Sequence, residues 1–188
     1  MAGKQTIGIL LGSLRRESFC RKIANEIARL FASDFDVKII EIGELAMFNQ
    51  DFDDDSKTPE NWTAFRKQIA ALNGVLFVTP EYNRSFPAVI KNAIDIASRP
   101  YGQNHWAGKA GAIISISLGT LGGFGANLHL AQPLGFLGVN LLRQPEMYIA
   151  NIASILNENG ELIDDHKRES LQRFVQAFTE WIAQSNHR

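Results

Sequence analysis

The chain carries very little with which to staple or anchor itself. One cysteine, Cys20, in 188 residues leaves no internal disulfide framework. Nineteen Lys and Arg against 20 Asp and Glu give a net charge of −1. No global field favours nucleic acid or an anionic membrane surface, and neither is expected as a partner. No apolar run approaches the roughly 20 residues that a membrane span needs. The opening MAGKQT lacks the apolar stretch and cleavage site of a signal peptide, so the expectation is a cytoplasmic protein. Repeats, low-complexity tracts and linkers are absent too. Residues 1–188 are therefore expected to form a single domain large enough to build a core. Two nucleotide motifs are missing: GxGxxG and GxxxxGK[ST] do not occur, which removes support for a dinucleotide fingerprint or a P-loop.

What is present is alternation, within an ordinary composition of 45% apolar and 21% charged residues. Short apolar runs stand at 6–11 (TIGILL), 37–42 (VKIIEI), 75–79 (VLFVT), 112–117 (AIISIS) and 139–142 (VNLL). They are apolar almost throughout, as strands covered on both faces are. Helical stripes lie between and after them: Ile23, Ile27 and Leu30; Trp62, Phe65, Ile69 and Leu72; Ile90, Ala93, Ile94 and Ala97; and Leu171, Phe174, Val175, Phe178, Trp181 and Ile182. Thr58 is the expected N-cap of the second, with Pro59 at its first helical position. Asp164 and Asp165 mark the start of the last. The pattern predicts an α/β doubly wound sheet of five parallel strands. Such sheets bind ligands beyond the C-terminal strand ends, where the strand order reverses.

That rule directs attention to the loops after the strands. GSLRRESFCRKIA, residues 12–24, leaves the first strand and starts a helix at once. Orphan N–H groups at a helix N-terminus, the hydroxyls of Ser13 and Ser18, and the Arg15 guanidinium together make a phosphate cradle. The plainer alternative leaves Ser18 as a cap and the arginines solvated. A cysteine phosphatase is excluded by position: Cys20 comes too late in the loop, and Glu26 stands where a closing arginine is needed. TPEYNRSFP, 79–87, ends a strand at Pro80 and offers backbone donors and acceptors through Glu81, Tyr82 and Asn83, with Tyr82 as an aromatic platform. SLGTLGG, 117–123, is small enough for a ring to approach closely. A phosphate at one end and a flat heterocycle at the other describe flavin mononucleotide, FMN.

Two stretches, GSLRxxS at 12–18 and PEYNxSxPxxxKNAID at 80–95, together with GTLGG and QPEMY, resemble the NAD(P)H-dependent FMN reductases, a family that includes bacterial chromate and quinone reductases and relatives of the azoreductases. The resemblance covers almost the whole chain. It implies a flavodoxin-like fold with strand order 2-1-3-4-5. It implies FMN phosphate on Ser13, Arg15, Ser18 and Cys20, and the flavin ring against Pro80, Glu81, Tyr82, Asn83 and Ser85, with Ser117 and Gly119 on the other side. It implies NADPH or NADH as reductant and a ping-pong cycle: hydride from the nicotinamide to the flavin, then electrons to a small-molecule acceptor such as free flavin, a quinone, an azo compound or a metal oxyanion. No side chain is singled out as an obligatory acid or base. A homodimer is implied, in some members a tetramer. An electron carrier without an NAD(P)H site and a non-catalytic flavin-binding module are the alternatives; carriers of that kind are commonly strongly acidic, and this chain is near neutral.

The sequence departs from the family pattern in three places. Cys20 stands where Asn is usual. Arg84 replaces a frequent Tyr and has two candidate jobs on the cleft rim, pairing with nucleotide phosphates or with an acidic neighbour. Gly125 replaces an Arg in the helix after the glycine loop, where Pro133, Gly135 and Gly138 are expected to kink and weaken the helix that assembles tetramers in relatives. DFDDD at 51–55 does not make a calcium loop: counted from Asp51, Ser56 falls where Gly is needed and Trp62 where a bidentate Glu is needed. It is read as a solvated loop. His105, His129, His166 and His187 lack ligand spacing, and no metal site is expected.

Overall fold

The computed structural model describes residues 4–185; Met1–Gly3 and Asn186–Arg188, with His187 among them, lie outside the described residues. The strands are β1 (Gln5–Leu11), β2 (Phe35–Ile40), β3 (Gly74–Pro80), β4 (Ala110–Ile116), β5 (Asn140–Leu141) and β6 (Met147–Ile149). The helices are α1 (Phe19–Leu30), α2 (Asp51–Asp54), α3 (Glu60–Ala70), α4 (Ala88–Ala97), α5 (Phe124–Phe136) and α6 (Asp165–Ser185). All pairings are parallel and the order is β2-β1-β3-β4-β5, as the alternation and the resemblance imply.

One difference lies at the fifth position. It is divided between two short strands, because β5 pairs with the start of β4 at Ala110 and Gly111 while β6 pairs with its end from Ile114 to Ile116. The chain leaves the edge between them through Leu142–Glu146, which contains Pro145, a residue without an N–H to give to a ladder.

The apolar runs are continuous because each strand feeds two cores. Ile7, Ile9 and Leu11 of β1 with Leu76 and Val78 of β3 meet α1 and α6. Leu10, Val75 and Phe77, one residue out of phase, meet α3, α4 and α5. Period-two alternation thus divides the side chains between faces that are both buried.

Local caps match the expectations unevenly. The Lys167 N–H donates to Asp164 Oδ1 at 2.9 Å, so Asp164 caps α6 as its position suggests. Thr58 does not cap α3. The helix begins at Glu60 with Pro59 in the cap position, and the Thr58 hydroxyl donates instead to Asp53 Oδ1 at 2.8 Å. That carboxylate also corrects the reading of DFDDD as a solvated loop. Residues 51–54 form a short helix, and Asp53 takes two bonds from the Arg66 guanidinium at 2.7 and 2.6 Å. The two side chains are only 6% and 8% exposed.

Pro133 lies inside α5, which nonetheless runs to Phe136. Gly138, at φ 76°, follows its end. No helix among the described residues is long and apolar enough to cross a membrane.

Candidate active site

The β1–α1 and β3–α4 loops meet where the strand order reverses. Gly12 makes the meeting possible. Its N–H donates to Val78 O at 2.9 Å, and a Cβ there would stand 2.8 Å from Pro80 Cδ and 2.9 Å from both Ile90 Cδ1 and Thr79 Oγ1. Beyond these loops opens a cleft of about 240 Å³ lined at one end by Ser13, Arg15, Phe19 and Cys20, and at the other by Pro80, Glu81, Tyr82, Ile116, Ser117, Leu118 and Ile152.

The first end is built for an anion. Ser18 is extended, at φ −73° and ψ 120°, and its hydroxyl accepts from Arg21 N–H. It is buried and serves as the N-cap. The N–H groups of Phe19 and Cys20 follow in the first turn, which has no acidic residue, and no intrahelical carbonyl is available to them. Arg15 is exposed and in no ion pair among the described residues, whereas Glu41 holds Arg21 and Glu17 holds Lys22. Cys20 is buried, and burial pushes its thiol up to about 12, with a Ser18 hydrogen bond acting weakly the other way. It is a neutral filler at this end, not a thiolate.

The second end is built for a flat ring. Tyr82 and Ser85 exchange backbone hydrogen bonds at 2.8 and 3.0 Å. Asn83 and Arg84 between them sit at φ 51° and 67°, the geometry of a two-residue type I′ turn, where Asn is a favoured side chain. Tyr82 is 46% and Leu118 66% exposed, so both present surface to the cleft mouth. The 117–119 loop is pinned from behind: Ser117 N–H donates to Ile149 O, Ser117 Oγ to Gly119 O, and Asn151 N–H to Gly119 O. Gly122 and Gly123 have positive φ, and a Cβ on either would press into backbone. A Cβ on Gly119 would meet nothing within 4 Å, so the bareness of Gly119 is not required by the chain's own packing.

Of the residues singled out from sequence, Ser13, Arg15, Cys20, Pro80, Glu81, Tyr82 and Ser117 converge on this cleft. Ser18, Asn83, Ser85 and Gly119 adjoin the lining residues without being among them: as cap, turn residue, hydrogen-bond partner of His129 Nδ1 at 3.2 Å, and loop anchor. The Arg84 guanidinium lies 3.4 Å from Glu81 Oε1, the acidic-neighbour alternative. Phe19, Ile116, Leu118 and Ile152 line the cleft without having been singled out. Phe19 sits in the 12–24 stretch and Leu118 in the 117–123 loop, and both could have been found there; Ile152 arrives from a segment with no motif. His105 and Trp106 are remote from the cleft: Trp106 is wholly buried beneath α4, with its indole N–H on Ile94 O.

The cleft therefore joins an anion-binding end to a ring-binding end at the switch point of a parallel sheet. The model of the NADPH-dependent FMN reductase family matches residues 6–154. The chain belongs to that family. Like other NADPH-dependent FMN reductases it is a flavodoxin-like oxidoreductase that uses FMN with NAD(P)H as reductant. A quinone reductase from Pseudomonas putida is 44% identical over 182 residues, 97% of each chain. A 2-hydroxy-1,4-benzoquinone reductase from a Burkholderia species is 45% identical over 176 residues, 94% of this chain and 95% of the relative. Among solved structures, the flavoenzyme NAD(P)H:(acceptor) oxidoreductase FerB from Paracoccus denitrificans superposes with a TM-score of 0.90 at 36% identity, covering 96% of this chain and 98% of its own. The donor set suits the family's cofactor: a guanidinium, a hydroxyl and helix N–H groups for a phosphate, and peptide edges with an aromatic face for a planar ring.

Proposed function

We propose that this chain, acting as one domain over 1–188, is a quinone-type reductase whose FMN occupies the cleft. In this reading the phosphate lies on Ser13, Arg15 and the first turn of α1, which Ser18 caps and to which Cys20 contributes its backbone N–H. The ring lies along Pro80, Glu81, Tyr82 and Asn83, with Ser85 fixing the turn and Ser117 and Gly119 opposite. What carries the reading is the division of one cleft into a cationic, N–H-rich end and an apolar, peptide-edged end.

FMN held on these residues would supply the redox chemistry, hydride acceptance from NAD(P)H and electron delivery to a small-molecule acceptor in a ping-pong order. The chain's own share is binding, orientation and electrostatics. The N–H groups of Tyr82, Ser85 and Ser117 are taken up within the loops; the remaining main-chain N–H groups there would stabilise negative charge on a ring held against them. Tyr82 and Leu118 offer an apolar, partly aromatic mouth, which suits a flat, weakly charged acceptor. Quinones fit this best, in line with the names of the relatives; free flavin, azo compounds and metal oxyanions are the competing acceptors.

The decisive experiment is anaerobic spectroscopy of the purified protein. It should be yellow, release FMN on heating, bleach on addition of NADPH or NADH, and recover its colour with benzoquinone. Double-reciprocal plots at several fixed quinone concentrations should be parallel; intersecting lines would rule out the ping-pong order. A yellow protein that neither nucleotide bleaches would be an electron carrier. A protein that binds no added FMN would overturn the reading altogether.

The same proposal includes a second copy. From Ala110 to Leu142 the chain has no Asp, Glu, Lys or Arg, yet α5 lies on the outside of the sheet and exposes Phe124, Leu128 and Phe136, with Leu118 and Leu121 beside its start. A helix apolar on more than one side is ordinarily covered. A second chain docked there supports the homodimer that the resemblance implies, and Leu118 continues the patch into the cleft mouth.

A further inference from the structure

The turn that carries the ring end of the cleft is fastened to α5, and the fastening runs through one carboxylate. Glu81 is the residue after β3 and lines the cleft. Its carboxylate is held on α5. Glu81 Oε2 accepts the Ala126 N–H at 3.1 Å, within the first turn of α5, where a helix has orphan donors and favours negative charge. Its side chain is only 12% exposed. Arg84 closes over the other oxygen at 3.4 Å, and Ser85 meets His129 Nδ1 one turn further along α5.

Gly125 shows how tight this junction is. It is helical, with no positive φ, so the backbone does not ask for glycine there, and alanine would be the better helix former. A Cβ at 125 would, however, stand 2.9 Å from Arg84 O and 3.0 Å from Glu81 Oε2. The glycine leaves room for the turn and its carboxylate to sit directly on the helix. The start of α5 is also the end of the 117–123 loop, which supplies Ser117 and Leu118 to the opposite wall. Glu81 thus ties one wall of the ring end to the element that carries the other.

We infer that Glu81 is a positioning residue that sets the width of the ring-binding end, through its carboxylate on the Ala126 N–H and the bare flank at Gly125. The inference rests on the proposal that a flavin ring lies between the 80–85 turn and the 117–119 loop. It makes two substitutions at different residues act alike. Glu81→Ala removes the tie, and Gly125→Ala wedges it apart while improving helix propensity. Glu81→Gln keeps a carbonyl acceptor for the same N–H and loses only the charge.

Apoprotein of parent and variants is titrated with FMN and with riboflavin, which lacks the phosphate, by flavin fluorescence. The visible circular dichroism of the bound flavin is recorded at saturation. Both alanine variants should weaken FMN and riboflavin by the same factor, roughly tenfold, as for loss of one hydrogen bond, and both should alter the bound-flavin spectrum. Glu81→Gln should bind within a few-fold of the parent and keep its spectrum. A purely structural carboxylate would leave the saturated spectrum unchanged, and a purely helical effect would make Gly125→Ala bind at least as well as the parent; either result overturns the inference. So does a loss confined to FMN, which would place the effect at the phosphate end, or a Gln variant as impaired as the Ala variant. Gly125→Ala and Glu81→Gln carry the test if Glu81→Ala does not fold. A parent that binds neither flavin would instead sink the flavin reading itself, a distinct outcome.

Discussion

Arg15 on the β1–α1 loop and Cys20 in the first turn of α1 lie five residues apart, and the physics separates their roles cleanly. Arg15 is a solvated guanidinium at the mouth of an anion-binding turn. A charge-assisted bond from it to a phosphate contributes roughly 1.5–3 kcal/mol. Arg15→Ala should therefore weaken FMN by about 10- to 150-fold while leaving riboflavin affinity and the melting temperature near those of the parent. Fluorescence titration with both flavins checks this, and an unchanged FMN affinity would remove Arg15 from the cradle. Cys20 is the opposite case: it is buried, and its thiol is raised to about 12 by that burial. It should resist alkylation at pH 8 in the folded protein, and Cys20→Asn should keep both FMN binding and turnover. Rapid labelling of the native protein, or lost turnover with FMN still bound, would give the thiol a redox part that its burial argues against.

At the scale of elements, legibility followed sequence distance. GSLRRES and PEYNRSFP could be read because each is a single strand-to-helix turn whose donors are neighbours in the chain; the cap at Ser18, the exposed Arg15 and the left-handed Asn83 are all local. What could not be read depends on partners far along the chain. Asn92 lies in the KNAID stretch yet works on another loop, accepting from Phe48 N–H at 2.7 Å and donating to the carbonyls of Leu45 and Ala46. The split of the last strand depends on both ends of β4. The Asp53–Arg66 pair joins α2 to α3 and made an acidic run look solvated when one of its members is buried.

That pair carries its own prediction. The Arg66 guanidinium holds the Asp53 carboxyl below the usual carboxylate range, with burial opposing it and Thr58 assisting. A carboxylate depressed in the folded state adds stability that is fully present above the unfolded value of about 4 and is lost as pH falls through the lower folded value. Asp53→Asn leaves Arg66 buried without its counter-charge and should cost about 3–5 kcal/mol at pH 7. The difference between parent and variant should shrink below about pH 4, first as the unfolded parent takes up the proton and finally as the folded carboxylate is protonated too. Replacing both partners, as in Asp53→Leu with Arg66→Met, should restore most of the loss, since well-packed apolar pairs often substitute for buried ions. Urea unfolding at pH 7 and pH 3 reads all three; a single variant as stable as the parent at pH 7 would show that the pair is not holding α2 to α3.

For the whole molecule, the question is why a chain with near-balanced charge should place none of it between Ala110 and Leu142. In β4 the answer is burial on both faces, since every residue from Ala110 to Ile116 is buried. In α5 burial accounts only for Ala126, Leu130 and Leu134. Phe124 and Leu128, four residues apart on another face, are each about half exposed, although Phe124 meets the Tyr148 ring at 5.4 Å. Further along, His129, Pro133 and Phe136 line a groove against Phe86 and Lys91 of the neighbouring α4 region. This surface, which carries no charge of its own except Lys91 at the groove, is where the second copy proposed above would dock, next to Leu118 at the cleft mouth. Leu128→Lys puts a charge in the middle of that surface, outside the anion-binding loop and the Glu81 tie. It should weaken self-association at least tenfold, about 1.4 kcal/mol or more for a central interface residue. The melting temperature of the monomer should be little changed. Sedimentation over a range of concentrations checks the mass, and FMN titration of the same sample checks that the phosphate end is intact. If the second chain also shapes the cleft mouth, the dissociated variant should show a raised KM for quinone with its FMN still bound. A parent that sediments as a monomer at all concentrations would leave the apolar face of α5 without the partner proposed for it.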